Sequence, residues 1–279
     1  MISNPLDLLY LGIFSVMIFS GTLWLLVYYM NRDKIQVDPE PSRFPSVTFL
    51  VPAYNEEEHV AECISSLLKM EYPEEKLEII AINDGSQDST LEEMRKFGDR
   101  IEIIDKSNSG KASSINQALE KVETELVACM DADSYAEDQM LKSMVGYFDQ
   151  EDVKGVTPAM KVRDPKTWAQ KVMWAEYIYN VFLRKLFSIF DSQWVMPGPG
   201  SVYETEYLRE LGGWDGGNAT MINNAINDGS FLLLHRDHGY ELGWGEPDYN
   251  NNDINGLTNT ELTFVYSVNC LTGKYNWGS

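Results

Sequence analysis

The fold is decided by the stretch from Val47 to Glu56, which reads VTFLVPAYNE. An apolar run that ends at a proline and continues into polar residues is typical of a buried strand that stops at a loop. The chain repeats this pattern, so we expect further strands at 77–82, 101–104 and 126–130. Helical segments are expected between the strands, near 57–69, 89–97 and 111–121. Such alternation predicts an α/β fold with a mostly parallel central sheet and helices on both faces.

The composition limits the kinds of ligand that the chain can bind. Its 279 residues carry a formal net charge of -21, which argues against nucleic acid because phosphate contacts need clustered Lys and Arg. A bound diphosphate would have to be neutralised locally, most simply by a divalent metal. The three cysteines, Cys63, Cys129 and Cys270, lie far apart and form no CxxC pair, so neither a disulfide framework nor a zinc site is expected.

The N-terminal segment resembles a membrane span. Residues 8–30 contain no charged side chain, and 23 residues of helix at about 1.5 Å each would cross a hydrocarbon core of about 30 Å. A signal peptide or a buried core helix would be the alternatives, but a basic leader and a small-residue cleavage site are missing. Arg32 and Lys34 follow the span, so the positive-inside rule places the remainder of the chain in the cytoplasm.

A second apolar segment, from 167 to 190, is rich in aromatic residues at helical spacing and is interrupted by basic ones. This pattern fits an amphipathic helix that lies flat on a membrane surface. It also fits an ordinary helix of the protein core, since aromatic residues at this spacing usually form core. The sequence leaves both interpretations open.

Polar clusters follow the four expected strands, at 52–58, 83–89, 106–111 and 131–134. In open parallel sheets, ligands bind beyond the carboxyl ends of the strands, so we expect these four loops to meet in one crevice. Asp131 and Asp133 are two positions apart in extended chain and should project to the same side. Such a pair can share Mg²⁺ or Mn²⁺ with a diphosphate, although acidic residues after strands also form turns or cap helices.

Two further residues of these loops are candidates for ligand binding. Asp84 precedes Gly85 in a tight turn, where its carboxylate could accept hydrogen bonds from a ribose or a base, or could simply belong to the turn. Lys111 opens a helix, so its ammonium and the free backbone N–H groups would point together at an anion. A surface lysine is the alternative.

Four blocks of sequence together resemble the family 2 glycosyltransferases in content, order and spacing: VPAYNEE at 51–57, NDGSQD at 83–88, GKA at 110–112 with Asn116, and DADS at 131–134. The likeness covers roughly residues 45–215 and includes GPGS at 198–201 and LGGWD at 211–215. It implies the GT-A nucleotide-sugar-binding fold. The donor-binding residues that we predict on this basis are Pro52, Ala53, Tyr54, Glu56, Asp84, Lys111 and Asp131. The predicted metal ligands are Asp131 and Asp133.

The resemblance implies an inverting, metal-dependent transfer of a sugar from a UDP-linked nucleotide-sugar to a membrane-associated lipid or polysaccharide acceptor. A carboxylate would take the proton of the acceptor hydroxyl. The family usually places a Glu-Asp pair after the Gly-Gly-Trp-Asp block, whereas here the nearest candidate is Asp228, preceded by Asn227. A non-catalytic module that only binds a sugar nucleotide therefore remains an alternative.

The composition changes after Asp215, where asparagines become frequent and basic residues scarce. Residues 220–277 resemble a fragment of the gingipain-like cysteine peptidases, and this likeness implies that His238 is a general base and Cys270 a nucleophile. The predicted organisation is a transmembrane anchor at 1–34, a transferase domain at 35–215 and an atypical tail at 216–279.

Overall fold

The computed structural model of the chain describes residues 5–190 and 198–214, and the backbone of five short strands between 232 and 267. The chain forms two compact units. The first unit comprises residues 1–43 and 139–197, and the second comprises residues 44–138 and 198–279. The domain boundaries expected at 34 and 215 stay predictions.

The regular elements are given in chain order. The helices are α1 (Pro5–Gln36), α2 (Val60–Leu67), α3 (Thr90–Arg95), α4 (Lys111–Leu119), α5 (Met140–Val145), α6 (Trp168–Ser188) and α7 (Thr205–Glu210). Short 3-10 helices lie at Glu74–Lys76, Gly98–Arg100 and Gly146–Asp149. The strands are β1 (Val47–Ala53), β2 (Leu77–Asp84), β3 (Glu102–Lys106), β4 (Leu126–Cys129), β5 (Gly155–Val156), β6 (Val202–Glu204), β7 (Leu232–His235), β8 (Gly239–Tyr240), β9 (Gly243–Trp244), β10 (Tyr249–Asn250) and β11 (Phe264–Ser267).

The central sheet of the second unit has the strand order β3-β2-β1-β4-β6. Strand β1 runs parallel to both of its neighbours, with Leu50 opposite Ile80 of β2 and Cys129 of β4. Strand β6 is antiparallel to β4, so the sheet is mixed but mostly parallel. The predicted α/β fold is confirmed. Because the chain builds β2 and β3 on one side of β1 and then returns to place β4 on the other, the β1–β4 boundary is a topological switch point.

Both faces of this sheet are covered. All seven residues of β1 are buried, although successive side chains of a strand point to opposite faces. On one face Leu50 and Ile82 belong to a core cluster with Ile115 and Leu119 of α4. Burial on both sides fixes β1, and with it the loop that follows at Tyr54.

The helices are shorter than the sequence predicts. The helix expected to begin near Glu57 begins at Val60, and the backbone N–H groups of Glu56 and Glu57 donate to Thr90 Oγ1 and Asp88 Oδ2. These two donors are therefore used to hold a neighbouring loop.

The first unit is built around α1, in which the segment from Leu8 to Gln36 is long and apolar enough to cross a membrane. Helix α6 begins with a capping box, in which Gln170 N donates to Thr167 Oγ1 while Gln170 Oε1 accepts from Thr167 N. This cap fixes the start of a 21-residue helix within the segment that was expected at 167–190.

In the C-terminal tail the described backbone forms two small sheets. Strand β7 pairs with β11 in parallel, and β9 lies antiparallel between β8 and β10.

Candidate functional site

A cleft with a volume of about 260 Å³ opens at the carboxyl ends of β1, β2 and β4 in the second unit. Its lining consists of Pro52, Ala53, Tyr54, Glu56, Asp84, Lys111, Asp131, Ala132 and Asp133. Every residue proposed from the sequence for donor or metal binding lies in this set. The structure thus brings the four loops together beside the switch point, while the chemical role of each residue stays a prediction.

One wall of the cleft is formed by two loops that hold each other. The backbone N–H of Asn55 donates to Ser86 Oγ at 3.0 Å, and the N–H of Gln87 donates to Asn55 Oδ1 at 2.8 Å. Asn55 has a φ of 56°, a left-handed conformation that asparagine tolerates better than most residues. This turn presents the neighbouring side chains of Tyr54 and Glu56 to the cleft.

Asp84 forms the floor at the end of β2 and is only 5% exposed at its side chain. Its Oδ1 accepts hydrogen bonds from Lys106 Nζ at 2.6 Å and from Ser109 N at 2.9 Å, and its Oδ2 accepts from Gly110 N at 3.0 Å. Burial alone would raise the pKa of Asp84, but the hydrogen bonds, led by that of Lys106, lower it below its ordinary value. The carboxylate thereby fixes the loop that leads into α4.

Lys111 is the first residue of α4 and forms an ion pair with Asp131, with 2.5 Å between Nζ and Oδ1. Burial would lower the pKa of Lys111, but the hydrogen bond and the charge of Asp131 raise it above its ordinary value. The lysine is 56% exposed and Asp131 is 29% exposed at the side chain, so both charges face the cleft. Helix α4 thus carries a fixed positive charge into an otherwise acidic site.

The loop that carries the two acids is supported from below by a cysteine. Cys63 Sγ on α2 donates to the carbonyl oxygen of Asp131 at 3.4 Å. Burial, followed by the charges of Asp131 and Asp133, raises the pKa of Cys63 to about 12. Cys63 and Cys129 are both free and buried, which agrees with the expectation that these two form no disulfide. Both thiols stay protonated, and Cys63 supports the loop through its hydrogen bond.

The acid pair fits a divalent cation that is shared with a ligand. Among residues 5–190 and 198–214, no group of three or more His, Cys, Asp and Glu side chains could hold a metal by themselves. Asp131 and exposed Asp133 supply two carboxylates at the cleft. Hard cations such as Mg²⁺ usually bind through one or two carboxylates and complete their shell with phosphate oxygens and water. The donor set is therefore the one expected for a nucleotide-bound cation.

Residues 48–212 match the family described as glycosyl transferase family 2, which is more than half of the chain. The chain belongs to glycosyl transferase family 2. The chain is 29% identical over 211 residues to the poly-β-1,6-N-acetyl-D-glucosamine synthase of Staphylococcus epidermidis, with 71% of the chain and 51% of the relative covered. The synthase of Staphylococcus aureus strain COL is 26% identical over the same length and coverage. The chain thus spans about half the length of the curated relatives it matches.

A solved structure supports the fold of this family 2 chain. The mannosyltransferase PcManGT from Pyrobaculum calidifontis, in complex with GDP-Man and Mn²⁺, superimposes with a TM-score of 0.54 at 25% identity. The match covers 75% of this chain and 62% of the mannosyltransferase. The GT-A fold inferred from the sequence is thereby confirmed.

The sequence interpretation missed two residues that organise this cleft. Lys106 was not singled out, although it ends β3 directly opposite Asp84 of β2. The signal was present, but using it requires the register between two parallel strands. Asn55 was read only as part of a motif, because its left-handed backbone cannot be inferred from residue type alone.

Three candidate catalytic residues lie outside the residues that the structure describes, namely Asp228, His238 and Cys270. The family match ends at residue 212, and nothing in the comparisons supports a peptidase fragment in the tail. The interpretation of the tail as a peptidase is therefore dropped.

Proposed function

We propose that this family 2 chain is a membrane-anchored, metal-dependent, inverting glycosyltransferase. Its donor is a UDP-linked sugar and its acceptor is a membrane-associated lipid or polysaccharide. The observation that carries the proposal is the single cleft that gathers Asp84, Lys111, Asp131 and Asp133 at the switch point of the sheet. Nucleotide ligands bind at this place in open α/β sheets.

The relatives support the choice of donor. The Staphylococcus synthases are named for a polymer of N-acetyl-D-glucosamine, so we propose UDP-N-acetylglucosamine as the first donor to test. The solved mannosyltransferase was found with GDP-Man, which makes GDP-mannose the natural competitor in the same experiment. The cleft presents the ring of Tyr54, which is 47% exposed, as a surface for stacking with a base.

The metal would be held by Asp131 and Asp133. When bound, a divalent cation neutralises the charge that develops on the departing nucleoside diphosphate. Lys111 adds a second positive charge beside Asp131, where the raised pKa keeps its ammonium protonated. Together these positive charges neutralise the diphosphate locally, in a chain whose net charge of -21 would otherwise repel the donor.

The transfer is proposed as a single displacement at the anomeric carbon. The acceptor hydroxyl oxygen forms the new bond, the bond to the diphosphate oxygen breaks, and a carboxylate base takes the hydroxyl proton. One displacement inverts the anomeric configuration. Asp228 remains the proposed base on the basis of its position after the Gly-Gly-Trp-Asp block.

The membrane contribution is proposed to come from α1. Its length and apolar composition suit a span, which would confine the chain to the same membrane as the acceptor.

Calorimetric titration of the full chain in lipid nanodiscs tests the donor and the metal together. We expect UDP-N-acetylglucosamine to bind more tightly than GDP-mannose, and only with Mn²⁺ or Mg²⁺ present. Asp133→Asn should weaken this binding by roughly 100-fold, because losing a proposed ligand should cost at least as much as losing an outer-shell partner, for which the loss is about 10- to 100-fold. Asp99→Asn is the matched control, because Asp99 is also exposed but lies outside the cleft. Donor binding by the wild type that does not depend on the metal would contradict the proposal.

Turnover distinguishes the enzyme from a module that only binds the donor. Release of UDP in the presence of a short N-acetylglucosamine acceptor should exceed the background release that is seen with metal but without acceptor. NMR of the product should show an inverted anomer. Tight donor binding with turnover at background would favour the non-catalytic alternative. Asp228→Asn should abolish turnover while leaving the donor affinity unchanged.

A further inference from the structure

The ion pair between Lys111 and Asp131 uses a carboxylate that the proposed function assigns to a metal. Lys111 Nζ lies 2.5 Å from Asp131 Oδ1. Mg²⁺ would lie about 2.0 to 2.1 Å from a ligating oxygen. An ammonium and a divalent cation on this one carboxylate would therefore be close neighbours of like charge, and at such a distance they repel each other strongly. Lys111 and the metal thus compete for Asp131.

The two lysines of the site are held very differently. Lys106 is 13% exposed and donates both to Asp84 Oδ1 at 2.6 Å and to Ser114 Oγ at 3.1 Å, so its ammonium is fixed. Lys111 is 56% exposed, and among the described residues its ammonium has one hydrogen-bond partner, Asp131. An exposed ion pair of this kind contributes little to stability, because water screens the attraction and holding a long side chain in place costs entropy. The Lys111 ammonium can therefore leave Asp131 at small cost.

The other charged side chains of the cleft lining are acidic. Among the described residues that line the cleft, Lys111 is the only basic one, whereas Glu56, Asp84, Asp131 and Asp133 carry carboxylates. A nucleoside diphosphate that enters this cleft brings phosphate oxygens, which are strong acceptors for a lysine ammonium. The diphosphate thus offers Lys111 a second partner, and it also brings the cation that needs Asp131.

We propose that Lys111 is an exchangeable counter-ion of Asp131, and that this exchange couples the binding of the metal to the binding of the nucleoside diphosphate. Without a nucleotide, the ammonium neutralises Asp131 and weakens the binding of a free cation. When the diphosphate enters, Lys111 keeps its charge and moves from Asp131 to a phosphate oxygen, which leaves the carboxylate to the cation. The inference rests on the proposed metal site at Asp131 and Asp133, and it adds that each ligand strengthens the binding of the other.

Two dissociation constants of the full chain in lipid nanodiscs test this exchange. The first is that of Mn²⁺ without nucleotide, measured from the electron paramagnetic resonance signal of free Mn²⁺. The second is that of UDP in a fixed excess of Mn²⁺, measured by calorimetry. Lys111→Met removes the ammonium, and Lys111→Arg keeps a cation at this position. The matched control is Lys121→Met, because Lys121 is 52% exposed and pairs with Glu102 at 2.7 Å, outside the cleft.

We expect Lys111→Met to bind Mn²⁺ alone severalfold more tightly than the wild type, because Asp131 then has no ammonium beside it. The same variant should bind UDP about 10-fold more weakly, which is the size of loss implied by removing a hydrogen bond to a charged group. Lys111→Arg and Lys121→Met should leave both dissociation constants close to those of the wild type. A purely structural role of Lys111 would instead weaken the binding of both ligands.

Unchanged or weaker binding of Mn²⁺ alone by Lys111→Met overturns the exchange, and so does unchanged binding of UDP. Asp133→Asn separates this inference from the function on which it rests. If Asp133→Asn weakens UDP binding in excess Mn²⁺ while Lys111→Met behaves like the wild type, the metal site stands and only the exchange is removed. If Asp133→Asn leaves that binding unchanged, the metal site and the exchange fail together.

Discussion

The cleft has two acidic regions that look alike in sequence and differ in structure. Asp84 at the end of β2 is 5% exposed and accepts hydrogen bonds from Lys106, Ser109 and Gly110. Asp133 after β4 is exposed, and its carboxylate has one described hydrogen bond, a long one of 3.4 Å from Ser134 Oγ. The first carboxylate is used mainly to build the site, whereas the second is available to a ligand. Acidic residues at strand ends therefore need to be judged by their partners.

Removing the charge of Asp84 is expected to have the largest effect on folding. Asp84→Asn leaves the Lys106 ammonium, which is only 13% exposed, without its counter-ion. Breaking a buried pair in this way should lower the free energy of unfolding by about 3 kcal/mol. Urea denaturation of the full chain in detergent measures this loss of free energy of unfolding. The double variant with Lys106→Met should recover part of the loss, and an unchanged midpoint in Asp84→Asn would mean that this carboxylate serves only the ligand.

The turn after Asp84 should be the next most sensitive position. Gly85 has a φ of 73°, and an added Cβ would lie 2.6 Å from the backbone nitrogen of Asn108. Gly85→Ala should therefore lower the free energy of unfolding by about 2 kcal/mol. Gly98→Ala is the matched control, because Gly98 has a φ of 57° with nothing within 4 Å of the new Cβ. Equal losses of free energy of unfolding in the two variants would show that the loop at Asn108 shifts to accommodate the Cβ without a cost in free energy.

Acid titration separates the contribution of Asp84 from that of other carboxylates. The pKa of Asp84 is lower in the folded chain than its ordinary value of 3.8, so its contribution to stability is present above that value. The contribution is lost as the pH falls through the ordinary pKa toward the lower pKa of Asp84 in the folded chain. Between pH 6 and pH 2, the unfolding midpoint of the wild type should fall more steeply than that of Asp84→Asn. Parallel curves would contradict the lowered pKa.

The smallest effect on folding is expected at Asp133. Because this side chain is exposed, Asp133→Asn should change the free energy of unfolding by less than about 0.5 kcal/mol. The same variant is expected to lose metal-dependent donor binding, so stability and binding should separate at this residue and not at Asp84. A large drop in the denaturation midpoint of Asp133→Asn would erase the distinction between the two regions.

Much of the fold could be predicted because its strands are short apolar runs. Strand β1 was expected at 47–51 and extends to Ala53, and the polar clusters after β1, β2 and β4 do line one cleft. Periodicity could not decide whether α6 is core or surface, since both place apolar residues on one helix face. The partnership of Asp84 with Lys106 depends on strand register, which residue type does not encode.

The reciprocal hydrogen bonds between the loops at Asn55 and Ser86 affect the thermodynamics of association. Both segments are already held in place in the free protein, so a nucleotide that contacts Tyr54 or Glu56 loses little affinity to the entropy of ordering backbone. Preorganisation of this kind makes the affinity for a nucleotide depend on the chemical match between its base and the residues that line this side of the cleft. Asn55→Ala should weaken the ligand chiefly through a less favourable entropy, because two loops would then have to be ordered on each binding event.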